Sequence, residues 1–139
     1  MLIEVLFCNV CHSDIQQVDN DWKNTLYPCV TGHEIIGKVT ATGNGVTKCK
    51  VGDTAGAGCM DACQHCPVEG GEEQFCQGEH GANMTYNGYW KPDASKFNTC
   101  GGYSKHIVAK KSFVLQIPEK LILSAAAPIL CAGVITYFR

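Results

Sequence analysis

Ile35-Ile36-Gly37-Lys38-Val39-Thr40-Ala41-Thr42-Gly43 is a β-branched run closed by glycine. The Gly43-Asn44-Gly45 turn then leads into Val46-Thr47-Lys48-Cys49-Lys50-Val51-Gly52-Asp53, which ends on a second turn signal. Short strands and tight turns are expected to dominate this part of the chain. Towards the N-terminus, Leu2 to Phe7 is a nearly continuous apolar run, so the chain is expected to begin inside a strand, with a lead-in region missing before it. Towards the C-terminus, Ser104 to Pro118 reads as two short strands around a Lys110-Lys111 turn, and an Ala-rich helix is expected from Glu119 onward. Residues 59–82 carry glycines, a proline and clustered cysteines without helical or strand period, so they are expected to form a lobe that needs metal as a staple. The pattern predicts a mainly β fold, a small barrel with short helices and a helical exit.

Composition bounds the function. The 139 residues amount to one domain, and with 45% apolar and 17% charged residues the chain can bury a core. Eleven Lys+Arg against thirteen Asp+Glu leave a formal charge of −2 with no run of five like charges, which argues against nucleic acid or an anionic membrane surface as partner. Ten cysteines stand out. The first residues lack the basic region of a secretory signal and carry Glu4, so a cytoplasmic location is expected. Thiols stay reduced there, and cysteines clustered beside histidines then point to metal rather than disulfides. Leu121 to Phe138 is free of charge, but Ser124, Pro128, Gly133 and Thr136 interrupt it, which fits a buried helix and turn better than a membrane span.

Two short stretches carry the chemistry. Cys11-His12-Ser13-Asp14 is followed by Gly32-His33-Glu34, with His33 twenty-two positions beyond Cys11, and Cys131 stands in Leu130-Cys131-Ala132-Gly133. Thiolate and imidazole are preferred zinc ligands, and three protein ligands leave a fourth position open for water or substrate. Spacing alone does not separate this set from buried thiols, which behave as small hydrophobes, and a core histidine. Ser13 and Asp14 on composition alone read as a turn or N-cap pair.

Taken in order, Cys11-His12-Ser13-Asp14, Tyr27-Pro28 with Gly32-His33-Glu34, Val46-Thr47-Lys48 with Val51-Gly52-Asp53, Gly101-Gly102-Tyr103-Ser104, and Ala127-Pro128 with Leu130-Cys131-Ala132-Gly133 resemble the zinc-dependent medium-chain alcohol dehydrogenases. The cinnamyl and sinapyl alcohol dehydrogenase branch is the most similar, and the resemblance covers almost the whole chain. It implies a GroES-like, partly open β-barrel over residues 1–139, with a structural-zinc lobe at 59–82. Cys11, His33 and Cys131 match the catalytic zinc ligands, the two-cysteine, one-histidine set typical of alcohol dehydrogenases; this assignment comes from the resemblance and not from spacing. Zinc in the family is a Lewis acid that assists hydride transfer between an alcohol carbon and NADP(H). Ser13 matches the hydroxyl that starts the proton relay, Asp14 an acid that orients the zinc histidine, and Glu34 an acid behind the metal, able to approach it during water exchange.

The sequence departs from the family pattern twice. Gln16 stands where a histidine usually relays protons, and an amide cannot take up and release a proton at neutral pH. In the structural lobe, Cys63-x-x-Cys66 is followed by Glu69 where a third cysteine would fall, and then by Cys76. Glu69 keeps the register and is the favoured fourth ligand, while Cys59 and His80 are alternatives of acceptable chemistry. Cys8, Cys29, Cys49 and Cys100 match no ligand position. Asp21-Trp22 matches the substrate side of the branch, although a solvated acid beside a buried aromatic explains it equally well.

No strand–Gly-x-Gly-x-x-Gly–helix unit is present, and Gly56-Ala57-Gly58 lacks both the third glycine and an opening helix. No cofactor-binding residues are therefore assigned. The chain is expected to be truncated, lacking the Rossmann cofactor domain, and inactive alone. The complete enzyme is expected to be a homodimer acting on small alcohols and aldehydes. A non-catalytic zinc-stabilised module is the alternative, and a thiol redox protein using Cys63-x-x-Cys66 is disfavoured because no βαβ pattern surrounds that pair.

Overall fold

The computed structural model describes residues 1–61, 75–76, 83–88 and 98–137. Cys63, Cys66, Glu69 and His80, on which the reading of the 59–82 lobe depends, lie outside the described residues.

The β-branched run forms the central strand. Strand β1 (Leu2–Asn9) pairs antiparallel with β2 (Glu34–Ala41) from Leu2↔Ala41 to Asn9↔Glu34, with irregularities between Leu2 and Ile3 and between Val5 and Phe7. On its other edge β2 pairs with β3 (Thr54–Ala57), from Ile35↔Ala57 to Lys38↔Thr54. A short ribbon joins β4 (Met60–Asp61) to β5 (Asn83–Met84). Strand β6 (His106–Val108) adds to β1 and β7 (Val114–Gln116) to β3, giving an open five-stranded antiparallel sheet in the order β6-β1-β2-β3-β7.

Ile35 and Ile36 show why this sheet is covered on both sides. Consecutive strand residues point to opposite faces. Ile35 joins Ile3, Val39, Ala55, Ala57, Ile107 and Val114, whereas Ile36 packs with Ile117, Ala126, Ala127 and the flanking Leu123 and Leu130. Each fully buried isoleucine contributes about 1.5–3 kcal/mol relative to an exposed one. Gly37 permits the closest approach of β1 and β2: a Cβ there would lie 2.6 Å from Ile3 Cγ2 and closer still to the Glu4 carbonyl oxygen.

Several boundaries differ from the sequence-based expectation. Val46–Asp53 runs as bend and turn, held by Val39 N to Asp53 O (3.0 Å) and Gly52 N to Val39 O (2.8 Å), and the next strand starts only at Thr54. The helix expected from Glu119 starts at Leu123 and is broken: α2 (Leu123–Ala126) passes into a 3₁₀ turn (Ala127–Leu130), and α3 (Ala132–Tyr137) follows. Pro128, which has no N–H to donate, sits at the start of that 3₁₀ turn. Among the described residues no helix is long and apolar enough to cross a membrane.

Candidate metal centre

Strand pairing creates the site. Because Asn9 faces Glu34 in the β1–β2 register, the chain leaving β1 and the chain entering β2 meet at one end of the sheet. Cys11 stands at the N-terminus of helix α1 (His12–Val18), and His33 and Glu34 stand at the entry to β2. Cys131 comes from the far end of the sequence, at the joint between the 3₁₀ turn and α3. Packing of Leu130 and Ala127 on Ile36 brings it there.

One ligand atom from each of Cys11, His33, Glu34 and Cys131 lies within 4.8 Å of every other. Tetrahedral zinc with bonds of about 2.0–2.3 Å sets its donors about 3.3–3.8 Å apart. Two sulfurs, an imidazole and a carboxylate in that span are donors zinc accepts, so the residues present fit the ion. His33 and Glu34 are buried, while Cys11 and Cys131 are partly accessible, which leaves the sulfur side open.

Asp14 organises the set. Its Oδ1 accepts from His33 Nδ1 at 3.1 Å and from Gly32 N at 2.9 Å, and its Oδ2 accepts from Cys11 N at 2.9 Å and from the Tyr103 hydroxyl at 3.0 Å. Burial by itself would raise this carboxyl, but the His33 ring and the Cys11 and Gly32 N–H groups outweigh it and hold it down at about 2. An ionised carboxylate can only accept, so Nδ1 carries the ring proton and Nε2 keeps its lone pair for a metal. Glu34 is held in turn by Asn9 Nδ2, which donates to Oε2 at 2.7 Å. Tyr86 packs against His33 with ring centroids 5.6 Å apart and planes tilted by 55°.

The two sulfurs differ. Partial burial pushes Cys11 up, but hydrogen bonds from the Ser13 backbone and hydroxyl, with the charge on His33, more than offset it and leave the thiol below its ordinary value. Burial and the Cys11 charge push Cys131 up to about 12. In the metal-free chain Cys131 therefore holds its proton more firmly than Cys11 does.

The remaining candidates are placed as follows. Ser13 touches Cys11, while Gln16 is half-buried in α1, one position before the buried Gln17 that binds Asn24 and Thr25. Trp22 is 47% exposed, so the buried-aromatic explanation of Asp21-Trp22 does not hold. Cys59 sits close enough to feel the charges of Cys11 and Glu34, at the edge of this centre. Cys76 is buried, Cys49 belongs to the β core, and Cys8 is half-buried. Asn9, Tyr86 and Tyr103 were not foreseen as parts of the site; only Tyr103 carried a signal, as the residue after Gly101-Gly102.

Residues 1–119 match the alcohol dehydrogenase GroES-like domain, and the chain belongs to that family. It is 48% identical over 139 residues to the aldehyde reductase YahK of Escherichia coli, covering 97% of this chain and 38% of that protein. Identity is 47% over 140 residues to the probable cinnamyl alcohol dehydrogenase 6 of Oryza sativa, covering 97% of this chain and 36% of that protein. The fold superposes on a cinnamyl alcohol dehydrogenase of Sorghum bicolor with a TM-score of 0.88 at 43% identity, covering 98% of this chain and 38% of that one. A cinnamyl alcohol dehydrogenase of Helicobacter pylori, solved with NADP(H), gives a TM-score of 0.87 at 38% identity, covering 98% of this chain and 39% of that one. The chain thus spans well under half the length of the relatives it matches.

Proposed function

We propose that this chain is the zinc-carrying, substrate-side part of an NADP(H)-dependent alcohol dehydrogenase that interconverts small alcohols and aldehydes. The observation that carries this reading is the Cys11, His33, Glu34 and Cys131 donor set, drawn together within 4.8 Å on a GroES-like domain. Zinc, when bound, would supply Lewis acidity that polarises a carbonyl or lowers the pKa of an alcohol. Cys11, His33 and Cys131 hold the ion, and Glu34 stands within reach as a further carboxylate. Asp14 keeps His33 in the Nδ1–H form, so Nε2 faces the site. Ser13 would accept the proton of the reacting hydroxyl while passing its own to water. Gln16, three residues further along α1 and so on the same face, orients water but cannot carry the proton onward.

Aromatic alcohols are the favoured substrate class, by similarity to the cinnamyl alcohol dehydrogenases. Cys63, Cys66, Glu69 and Cys76 are proposed to hold a second, structural ion, and the complete enzyme to work as a cytoplasmic homodimer. The test is to join the chain to a nicotinamide-binding domain and assay NADPH-dependent aldehyde reduction. Activity that a chelator removes, zinc restores and Cys11→Ser abolishes is the expected result. A folded, zinc-loaded product without turnover would favour the second reading, a non-catalytic zinc-stabilised module.

A further inference from the structure

Two cysteines outside the donor set stand on neighbouring segments. Gly101 N donates to Val30 O at 2.7 Å, Gly102 N to Gly32 O at 2.7 Å, and Tyr103 N to Thr31 O at 3.0 Å. Just upstream, the Asn98 side-chain amide donates to the Leu26 carbonyl at 2.7 Å and to the Pro28 carbonyl at 3.2 Å. Cys29 lies between Pro28 and Val30, and Cys100 between Asn98 and Gly101. Both are therefore held on backbone that is tied together on either side. The approach is close: a Cβ on Gly101 would come 2.6 Å from the Thr31 carbonyl oxygen. Hydrogen-bonded extended chains run about 4.7–4.9 Å apart, and a disulfide spans Cα separations of about 4.4–6.8 Å.

Both sulfurs are free thiols, Cys29 half-buried and Cys100 exposed. Burial pushes the Cys29 thiol up and the charge of Cys100 adds to it, so Cys29 lies in the field of Cys100. Cys100 is thus the accessible partner and Cys29 the one kept as a thiol.

We propose that Cys29 and Cys100 are a redox-sensitive pair that closes to a disulfide by exchange with a low-molecular-weight disulfide such as oxidised glutathione, fastening the His33 loop to the Tyr103 loop. The Cys100 thiolate attacks one sulfur of the glutathione disulfide, whose S–S bond breaks to release one reduced glutathione. Cys29 then gives up its proton and attacks Cys100 Sγ in the mixed disulfide, expelling the second glutathione, which takes up a proton. Two protein thiols become one disulfide while one glutathione disulfide becomes two thiols. The fastened loops are those from which Gly32 N and the Tyr103 hydroxyl reach Asp14, so the bridge acts on the cradle of His33. It also closes a long loop of chain, which raises resistance to unfolding.

The full chain, purified reduced, is to be equilibrated in glutathione buffers of rising oxidised fraction, alkylated, digested and analysed by mass spectrometry. A Cys29–Cys100 linked peptide is expected, with a Tm several degrees above that of the reduced chain. Cys29→Ser is expected to leave Cys100 as a glutathione adduct that does not resolve. Cys100→Ser, at an exposed position where folding is not at stake, is expected to abolish both the link and the Tm rise. Recovery of Cys29 and Cys100 as alkylated thiols while other cysteines oxidise would overturn the proposal, as would a bridge from either to a different cysteine.

Discussion

Asp14 accepts a hydrogen bond from His33 Nδ1 at 3.1 Å, across nineteen residues of sequence, and both side chains are about 3% exposed. The same carboxylate takes the N–H groups of Cys11 and Gly32 and the hydroxyl of Tyr103. It thus caps α1, fixes the turn before β2, anchors the 101–103 segment and sets the tautomer of a metal-ligand candidate. Removing it affects folding and metal uptake together.

Asp14→Ala leaves Gly32 N and His33 Nδ1 without their acceptor in a buried place and removes the cap on Cys11 N, while the Tyr103 hydroxyl keeps the Asn9 carbonyl. Each orphaned buried group costs about 1–3 kcal/mol, and loss of a carboxylate that orients a ligating histidine lowers metal affinity about 10–100-fold. Urea unfolding of the metal-free chain and zinc competition with a chromophoric chelator are expected to show both losses. Unchanged zinc affinity in a folded variant would mean that Asp14 serves the turn and not the centre.

The same pair predicts how stability depends on pH. Asp14 is held at about 2, below its ordinary value of 3.8, so its contribution is complete above about pH 4 and is lost as pH falls towards 2. For His33, burial works downward but the Asp14 bond and charge, with Cys11, raise it above 6.5; its contribution is present below that value and fades as pH rises through the raised one. Urea midpoints of the metal-free, reduced chain are expected to be highest between about pH 4 and 6. In Asp14→Asn both limbs should flatten relative to the parent chain.

Gly32→Ala tests the turn that delivers His33. Gly32 has φ +99°, and a Cβ there would lie 2.8 Å from Cys8 Sγ and 2.8 Å from Tyr103 N. A strained backbone and an overpacked contact add to about 2–6 kcal/mol. Thermal unfolding checks the loss, and zinc uptake is expected to weaken with it, because neither Tyr103 N nor the Asp14 bond to Gly32 can keep its place.

The β1–β2 pair was legible because Leu2–Phe7 and Ile35–Gly43 carry strand residues between clear turns. Cys11, Asp14 and His33 took their roles from the family resemblance, since spacing alone does not separate them from buried thiols, a core histidine and a turn. Cys131 was legible only through family resemblance: it reaches the centre because Ile36 faces away from Ile35 and receives Ala127 and Leu130, a packing fact that no local pattern records. Asn9 and Tyr86 were missed for a similar reason, since each earns its role by cross-chain approach to Glu34 or His33. The broken C-terminal helix was misread for another reason. Three alanines in a row announce helix, but Pro128 directly after them stops α2 and so turns Cys131 inward.

Cys131 predicts the proton balance of metal uptake. Its thiol is pushed up to about 12 while Cys11 is lowered, so the metal-free pair holds at least one proton throughout the physiological range. Zinc ligation by both sulfurs must expel that proton, and apparent affinity should then rise about tenfold per pH unit near neutrality, more steeply where His33 must also lose its proton. A dye-coupled titration in weak buffer is expected to register proton release on zinc addition. Cys131→Ser is expected to remove the Cys131 share of that release and to weaken uptake by more than the roughly 10–100-fold that loss of a supporting partner costs. Glu34→Gln separates the fourth donor from the third: if the carboxylate ligates, affinity falls, because the neutral amide that replaces it is a weaker zinc donor. Zinc uptake that ignores pH in the parent chain would mean that Cys131 supplies no thiolate, and the donor set would shrink to Cys11, His33 and Glu34.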